Sequence, residues 1–144
     1  MTTDIENKYV IFKLDNEYYG LNIDNVQSIE KFQNYTRVPN APNYIKGVVN
    51  LRGEVVPIMD LRIKLGLKPK DIDHNTRIVI VSYEEIVVGL IVDTSSEVLE
   101  INKDNIDKPP ATGSNEFKEY INGIGKDKER LVILLDLERL LDLE

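Results

Sequence analysis

Carboxylates are abundant in this 144-residue chain, with 25 Asp and Glu, but nucleophiles and bases in a catalytic arrangement are hard to find in it. The one histidine, His74, lies in Asp71-Ile72-Asp73-His74-Asn75, a polar run expected to be a solvated loop. A Ser-His-Asp triad with Ser95-Ser96 would have to recruit it from there. There is no cysteine, which excludes disulfides and thiolate zinc sites, and one histidine cannot complete a histidine-based metal cluster. No Gly-x-Gly-x-x-Gly, no phosphate loop ending in Gly-Lys-Ser/Thr and no Gly-x-Ser-x-Gly occurs. The acids near Glu100, Asp104 and Asp107 lack the Asp-x-Asp-x-Asp-Gly spacing of a calcium loop. The expectation is a protein without catalysis, cofactor or metal.

The remaining carboxylates are read through an internal repeat. With a shift of 69 residues, Tyr9–Phe32 aligns without a gap on Ile78–Ile101, with identities Val10/Val79, Ile11/Ile80, Gly20/Gly89, Leu21/Leu90 and Asp24/Asp93. With a shift of 76, Tyr44–Leu65 aligns on Tyr120–Leu141. There Tyr44/Tyr120, Ile45/Ile121, Gly47/Gly123, Val56/Val132, Asp60/Asp136, Leu61/Leu137 and Leu65/Leu141 match, seven identities in 22 positions. Average composition would give roughly one or two. The change in shift, 76 − 69, puts seven extra residues into the second copy's middle loop, Asn102–Lys118, which includes Pro109-Pro110 and Thr112-Gly113-Ser114. Aspartates present once per copy suit turns and helix caps better than an asymmetric acid–base pair.

Each copy predicts short strands with a helical end. Tyr9–Leu14 and Tyr18–Ile23 flank Asp15-Asn16, and Arg77–Tyr83 and Ile86–Val92 flank Glu84-Glu85, β-branched and aromatic runs around hairpin turns. Ile45–Leu51 and Glu54–Met59 enclose Arg52-Gly53. Asp60 and Asp136 are expected to cap helices Leu61–Leu65, stopping at Gly66, and Leu137–Leu143. Asp24–Glu30 fits either a helical turn or a strand. About five short strands per copy predict a small closed barrel. The fold class expected is all-β with short helices, two packed five-stranded barrels, with approximate sub-barrels 1–70 and 71–144. A barrel of 60–70 residues is marginal alone, so the two are expected to share apolar surface.

The copies differ at one hairpin tip, where Asn50-Leu51-Arg52-Gly53 faces Lys126-Asp127-Lys128-Glu129. Arginine beside aliphatic residues is a common interface anchor. The plainer alternative is an Arg52 paired with a local carboxylate such as Glu54. Apolar residues are 42% and charged residues 30% of the chain, ordinary for a folded protein. A net charge of −7 argues against nucleic acid as a partner. No apolar run approaches the roughly 20 residues of a membrane span, and Met1-Thr2-Thr3-Asp4-Ile5-Glu6 lacks the basic and apolar parts of a signal peptide. A cytoplasmic protein without direct membrane insertion is expected.

The stretch from Ala41 to Arg62, with Tyr44-Ile45-Lys46-Gly47 and Asn50-Leu51-Arg52-Gly53 at its centre, resembles the signature of CheW coupling proteins. So do Val88-Gly89-Leu90-Ile91-Val92-Asp93 with Glu97-Val98-Leu99, the opening Tyr18-Tyr19-Gly20-Leu21-Asn22-Ile23, and the end Leu131–Leu141. The resemblance spans roughly Tyr9 to Leu141. It implies two SH3-like barrels, between which the N-terminal strand can cross. It implies an adaptor joining the cytoplasmic tips of methyl-accepting chemotaxis receptors to the regulatory domain of the histidine kinase CheA, in arrays at the membrane. The kinase carries a similar domain, but 144 residues leave no room for its phosphate-accepting helix or ATP-binding domain. By resemblance the receptor contacts fall on Val26, Gly47, Arg52 and Val98, and their neighbours Ile29 and Asn50 join that set. Kinase-contacting residues are not assigned, and Ser95 stands where the family pattern has an aliphatic residue. The alternatives are a CheW-like regulatory domain in another kinase pathway and a generic peptide-binding SH3-like module. The latter would use an aromatic-lined groove, whereas the 7 Tyr and 3 Phe here are mostly paired between copies or scattered in strands.

Overall fold

Apolar and β-branched runs separated by two-residue turns produce short antiparallel hairpins, and eleven strands are described over residues 6–109 and 119–141 of a computed structural model. The first copy contributes β1 (Glu6–Leu14), β2 (Glu17–Asn22), β3 (Val26–Lys31), β4 (Ile45–Leu51), β5 (Glu54–Asp60) and helix α1 (Leu61–Lys64). The second contributes β6 (Arg77–Tyr83), β7 (Ile86–Val92), β8 (Thr94–Asn102), β9 (Ile106–Asp107), β10 (Ile121–Asp127), β11 (Arg130–Leu135) and helix α2 (Leu137–Leu140). The ambiguous Asp24–Glu30 divides into a 3-10 turn, Ile23–Asn25, and strand β3. Pro110, Thr112-Gly113-Ser114 and the far end of the expected helix Leu137–Leu143 lie outside the described residues.

The caps are local and behave as their chemistry dictates. The Asp60 carboxylate accepts the N–H groups of Arg62 at 3.0 Å and Ile63 at 3.3 Å, and Asp136 accepts that of Arg139 at 3.2 Å. Past the C-cap Leu65, Gly66 takes φ 79°, which ends α1. Among the described residues no helix is long and apolar enough to cross a membrane.

The chain forms two compact units, Asn25–Ser95 and Met1–Asp24 with Ser96–Glu144, which does not follow the boundary near residue 70. The reason is a reciprocal exchange of hairpins. In one sheet the order is β3-β6-β7-β5-β4, so the second copy's hairpin β6–β7 sits among the first copy's strands. In the other it is β8-β1-β2-β11-β10-β9, so the first copy's hairpin β1–β2 sits among the second copy's strands. Replacing each strand by its duplicate converts one five-strand order into the other. The register obeys the repeat too: the parallel pair Ile58↔Gly89 has Leu134↔Gly20 as its duplicate. The five-stranded SH3-like arrangement is thus present twice, but both hydrogen-bonded ladders are open where closed barrels were expected. In the unit of residues 25–95, Val49, Val56, Ile58, Ile78, Ile80 and Ile91 form a core; in the other, Tyr9, Ile11, Ile101, Val132 and Leu134 do.

Close packing explains the glycines shared by the copies. A Cβ on Gly89 would lie 2.7 Å from Ile78 Cγ2 and 3.1 Å from Ile58 Cγ2, and one on Gly20 would lie 3.1 Å from Leu134 Cδ2. Gly47 lies under a crossing segment, whose Thr36 forms a bridge to Val48 with hydrogen bonds of 2.9 and 2.8 Å. Its duplicate Gly123 lies under β9, whose Asp107 pairs with Ile124, the duplicate of Val48.

The exchange predicts how fragments behave. Residues 1–70 contain β3–β5 without β6–β7, and residues 71–144 contain β8–β11 without β1–β2. Each fragment alone is expected to melt without a cooperative transition, because it lacks two inner strands of its sheet. Mixed at equal concentration, the fragments should recover a cooperative melt. A cooperative melt of either fragment as a monomer would contradict this.

Candidate functional site

The asymmetric hairpin tip is built by its own turn chemistry. Arg52 and Gly53 both have positive φ, 53° and 89°, as a two-residue turn matching the twist of the flanking strands requires. The Asn50 side-chain oxygen accepts the Gly53 N–H at 2.9 Å and holds that turn. The Arg52 side chain is 70% exposed, and its Nη2 donates to Glu30 Oε2 at 3.1 Å. Glu30, on edge strand β3, therefore takes the place expected for Glu54. Ile29, also on β3, is 44% exposed.

The other expected contacts divide by exposure. Val98 on β8 is 50% exposed and is the duplicate of Ile29, 29 + 69. Two other exposed apolar residues, Val55 and Leu131, are also duplicates, 55 + 76. Val26 is half-buried beside Ser28 and Glu30 in the burial pattern of β3. Gly47 is buried beneath Thr36 and offers no side chain. Four of the six, Ile29, Asn50, Arg52 and Val98, thus present side chains to solvent, and Asn50 also holds the turn, whereas Gly47 shapes backbone alone. Arg52, at the β4–β5 tip, reaches β3 through Glu30 in an ion-paired seam, and Ile29 precedes Glu30 on that strand; Val98 belongs to the other unit.

The tertiary structure also assembles ionic clusters that sequence spacing did not reveal. Asp93, expected to serve a turn or cap, is instead half of a buried ion pair. Arg62 Nε donates to Asp93 Oδ1 at 2.9 Å and Nη2 to Oδ2 at 2.8 Å, while Nη1 donates to the Lys68 carbonyl at 2.6 Å. The two side chains are 7% and 10% exposed, and Lys70 Nζ lies 3.7 Å from the same carboxylate. The pair ties α1 to the end of β7. Asp24, the duplicate of Asp93, is exposed on the 3-10 turn, where the Asn22 side chain accepts its N–H. In the other unit, Arg130 Nη1 donates to Glu97 Oε2 at 2.7 Å and Nη2 to Asp127 Oδ2 at 2.8 Å, with the guanidinium 4.8 Å from the Tyr18 ring centroid. His74 is exposed; Glu100 and Asp107 meet Lys8 at 3.9 Å and Lys126 at 3.3 Å.

The seam at Arg52 carries a pH signature. A hydrogen bond from Ser28, then the hydrogen bond and charge of Arg52, hold the Glu30 carboxyl below the usual glutamate range against the opposing effect of desolvation. A depressed folded-state value contributes stability above the unfolded value of about 4.3, and that contribution is lost as pH falls through the folded value. Wild type should therefore exceed Glu30→Gln in melting temperature near neutrality by a small margin, within about 1 kcal/mol for a partly exposed pair. The margin should vanish between about pH 5 and pH 3, as read by paired thermal melts. A margin unchanged across that window would remove Glu30 from the seam's electrostatics.

With this geometry in place, comparisons define what the chain is similar to. A family model described as the CheW-like domain matches residues 8–144. The chain is 40% identical over 140 residues to the Chemotaxis protein CheW of Klebsiella aerogenes, covering 97% of this chain and 84% of that one. It is 38% identical over 146 residues to the Chemotaxis protein CheW of Bacillus subtilis, covering 100% and 94%. In structure it is similar to the scaffolding protein TtCheW from Thermoanaerobacter tengcongensis, with a TM-score of 0.86 and 32% identity over 99% of this chain and 92% of that one.

Proposed function

Because the chain belongs to the CheW-like domain family, we propose that it is a chemotaxis coupling adaptor, a protein that holds receptor and kinase together and performs no catalysis itself. The family match over residues 8–144 carries this reading. The finer assignment is that its partners are the cytoplasmic tips of methyl-accepting chemotaxis receptors and the regulatory domain of the kinase CheA, met from the cytoplasm at membrane-bound arrays. Receptor contact is assigned to Arg52 and Ile29 at the β3 seam and to Val98 on β8, with Val26, Gly47 and Asn50 supporting them through packing and turn geometry.

Arg52 is the cleanest probe. Its ion pair with Glu30 is exposed on the arginine side, and such pairs contribute about 0–1 kcal/mol, so Arg52→Ala should melt within a few degrees of wild type. If it anchors the receptor, truncation costs roughly 1–3 kcal/mol, about a 5- to 150-fold loss of affinity for a receptor-tip fragment. Lys128→Ala, the matched change at the duplicate position, should leave that affinity intact. Equal affinity for Arg52→Ala and wild type would overturn the assignment of Arg52. A wild-type chain that captures neither the receptor-tip fragment nor the kinase regulatory domain would overturn the adaptor reading itself.

A further inference from the structure

Each ladder has an edge strand that a hairpin from the far half of the order reaches through an ion pair: β3 from β4–β5, and β8 from β10–β11. In the first seam Arg52 reaches Glu30. In the second Arg130, at the start of β11, grips Glu97 of β8 with two nitrogens, at 2.7 and 3.4 Å. Asp127 braces the same guanidinium at 2.8 Å, and Tyr18 of β2 lies beneath it. Arginine's planar fork suits this bidentate, ring-stacked role.

The two clasps are not copies of one ancestral contact. Arg52 has Lys128 as its duplicate and Glu30 has Leu99; Arg130 has Glu54 and Glu97 has Ser28 (shifts of 76 and 69). The same link between edge strand and hairpin tip is therefore built twice from different positions. A common physical requirement accounts for this better than inheritance: a strand bonded on one side only frays readily unless something else holds its free edge.

In the second seam the gripped residue, Glu97, immediately precedes Val98. We propose that Arg130 is a positioning residue for receptor binding: by clasping Glu97 it holds edge strand β8 in place and presents Val98, already ordered, to the receptor. This rests on the reading of Val98 as a receptor contact. Without the clasp, β8 must be ordered at the moment of binding, and affinity falls by the cost of that ordering. The clasp residues are about a third exposed, Arg130 at 30% and Glu97 at 33%, so its loss should affect overall stability little.

The test uses the full chain, a receptor-tip fragment as probe, and four variants: Arg130→Ala, Arg130→Lys, Glu97→Gln and Val98→Asp. Arg130→Ala should bind the fragment roughly 5- to 10-fold more weakly while melting within a few degrees of wild type. Amide hydrogen exchange in β8 should accelerate in the unbound variant, with exchange in β6 and β7 unchanged. Lysine at 130 should recover part of the affinity and part of the exchange protection, and Glu97→Gln should reproduce the loss if Arg130→Ala does not fold. Weaker binding with unchanged β8 exchange would mean that Arg130 or Glu97 touches the receptor directly, which overturns the positioning role. Wild-type binding by both Arg130→Ala and Glu97→Gln, beside a Val98→Asp variant that no longer binds, overturns it as well and leaves the receptor reading standing. If Val98→Asp binds like wild type, the receptor reading of Val98 fails, and the positioning role fails with it.

Discussion

Asp93→Ala should lower the melting temperature by about 10 °C or more, the largest loss expected from any single polar side chain described here. The carboxylate neutralises an Arg62 guanidinium whose side chain is only 7% exposed, and removing it takes away both acceptors of a bidentate grip on a buried cation. Breaking a buried pair from one side costs about 3–5 kcal/mol, against a total stability of about 5–15 kcal/mol for a domain. Lys70, 3.7 Å from Asp93, loses a partner too but is nearly half exposed and adds little. The double variant Arg62→Met/Asp93→Leu supplies the counter-test. It removes both charges, and the Lys68 carbonyl that Arg62 caps belongs to an exposed residue that water can reach. It should recover most of the loss, because apolar replacements of buried pairs are often neutral or better. If Asp93→Ala melts like wild type, the pair is no structural tie between α1 and β7.

Gly47→Ala should be similarly severe, for a steric rather than electrostatic reason. A Cβ there would lie 2.2 Å from the Thr36 carbonyl oxygen and 2.8 Å from the Tyr35 ring, and backbone cannot yield as a side chain can. Relief requires lifting Thr36 off β4, with loss of its two hydrogen bonds to Val48. Overpacking of about 1–3 kcal/mol plus two hydrogen bonds of about 0.5–1.5 kcal/mol each gives roughly 2–6 kcal/mol. Gly123→Ala should cost less, since the nearest atom there is a side-chain methyl of Ile106 at 2.8 Å and the Asp107 carbonyl lies 3.2 Å away. Receptor binding by Gly47→Ala should fall together with its melting temperature, whereas Arg52→Ala should lose binding alone. Full stability in Gly47→Ala combined with lost binding would place Gly47 at the contact surface after all.

Features whose causes lie within a few residues were legible in the chain. Asp60 and Asp136 were readable as caps because their partners lie two and three residues away. Hairpins were readable from paired apolar runs around short turns, and the repeat from identities at fixed shifts. The ion pair of Asp93 was not legible because its partner, Arg62, lies 31 residues away and the duplicate of that arginine is Glu138, so the repeat pointed to a shared local role instead. Arg52 had a plausible partner two residues on, in Glu54, yet β3 brings Glu30 to it from 22 residues back. For the same reason the pairing of Arg130 with Glu97, 33 residues apart, was not legible. The equal character of Ile29 and Val98 was the one available signal toward both seams.

The amino-acid sequence by itself determined that there are two copies of one β unit, where their turns and caps fall, and which family they belong to. Only the tertiary structure decided which hairpin completes which unit. The reason is the repeat itself: Val10-Ile11 matches Val79-Ile80, and Gly20-Leu21 matches Gly89-Leu90, so either hairpin carries the apolar pattern that β5 or β11 needs beside it. Patterning cannot distinguish a strand's own hairpin from its duplicate. The choice falls to how the connections between strands route each hairpin, and that routing sets the seams at which Arg52 and Arg130 stand.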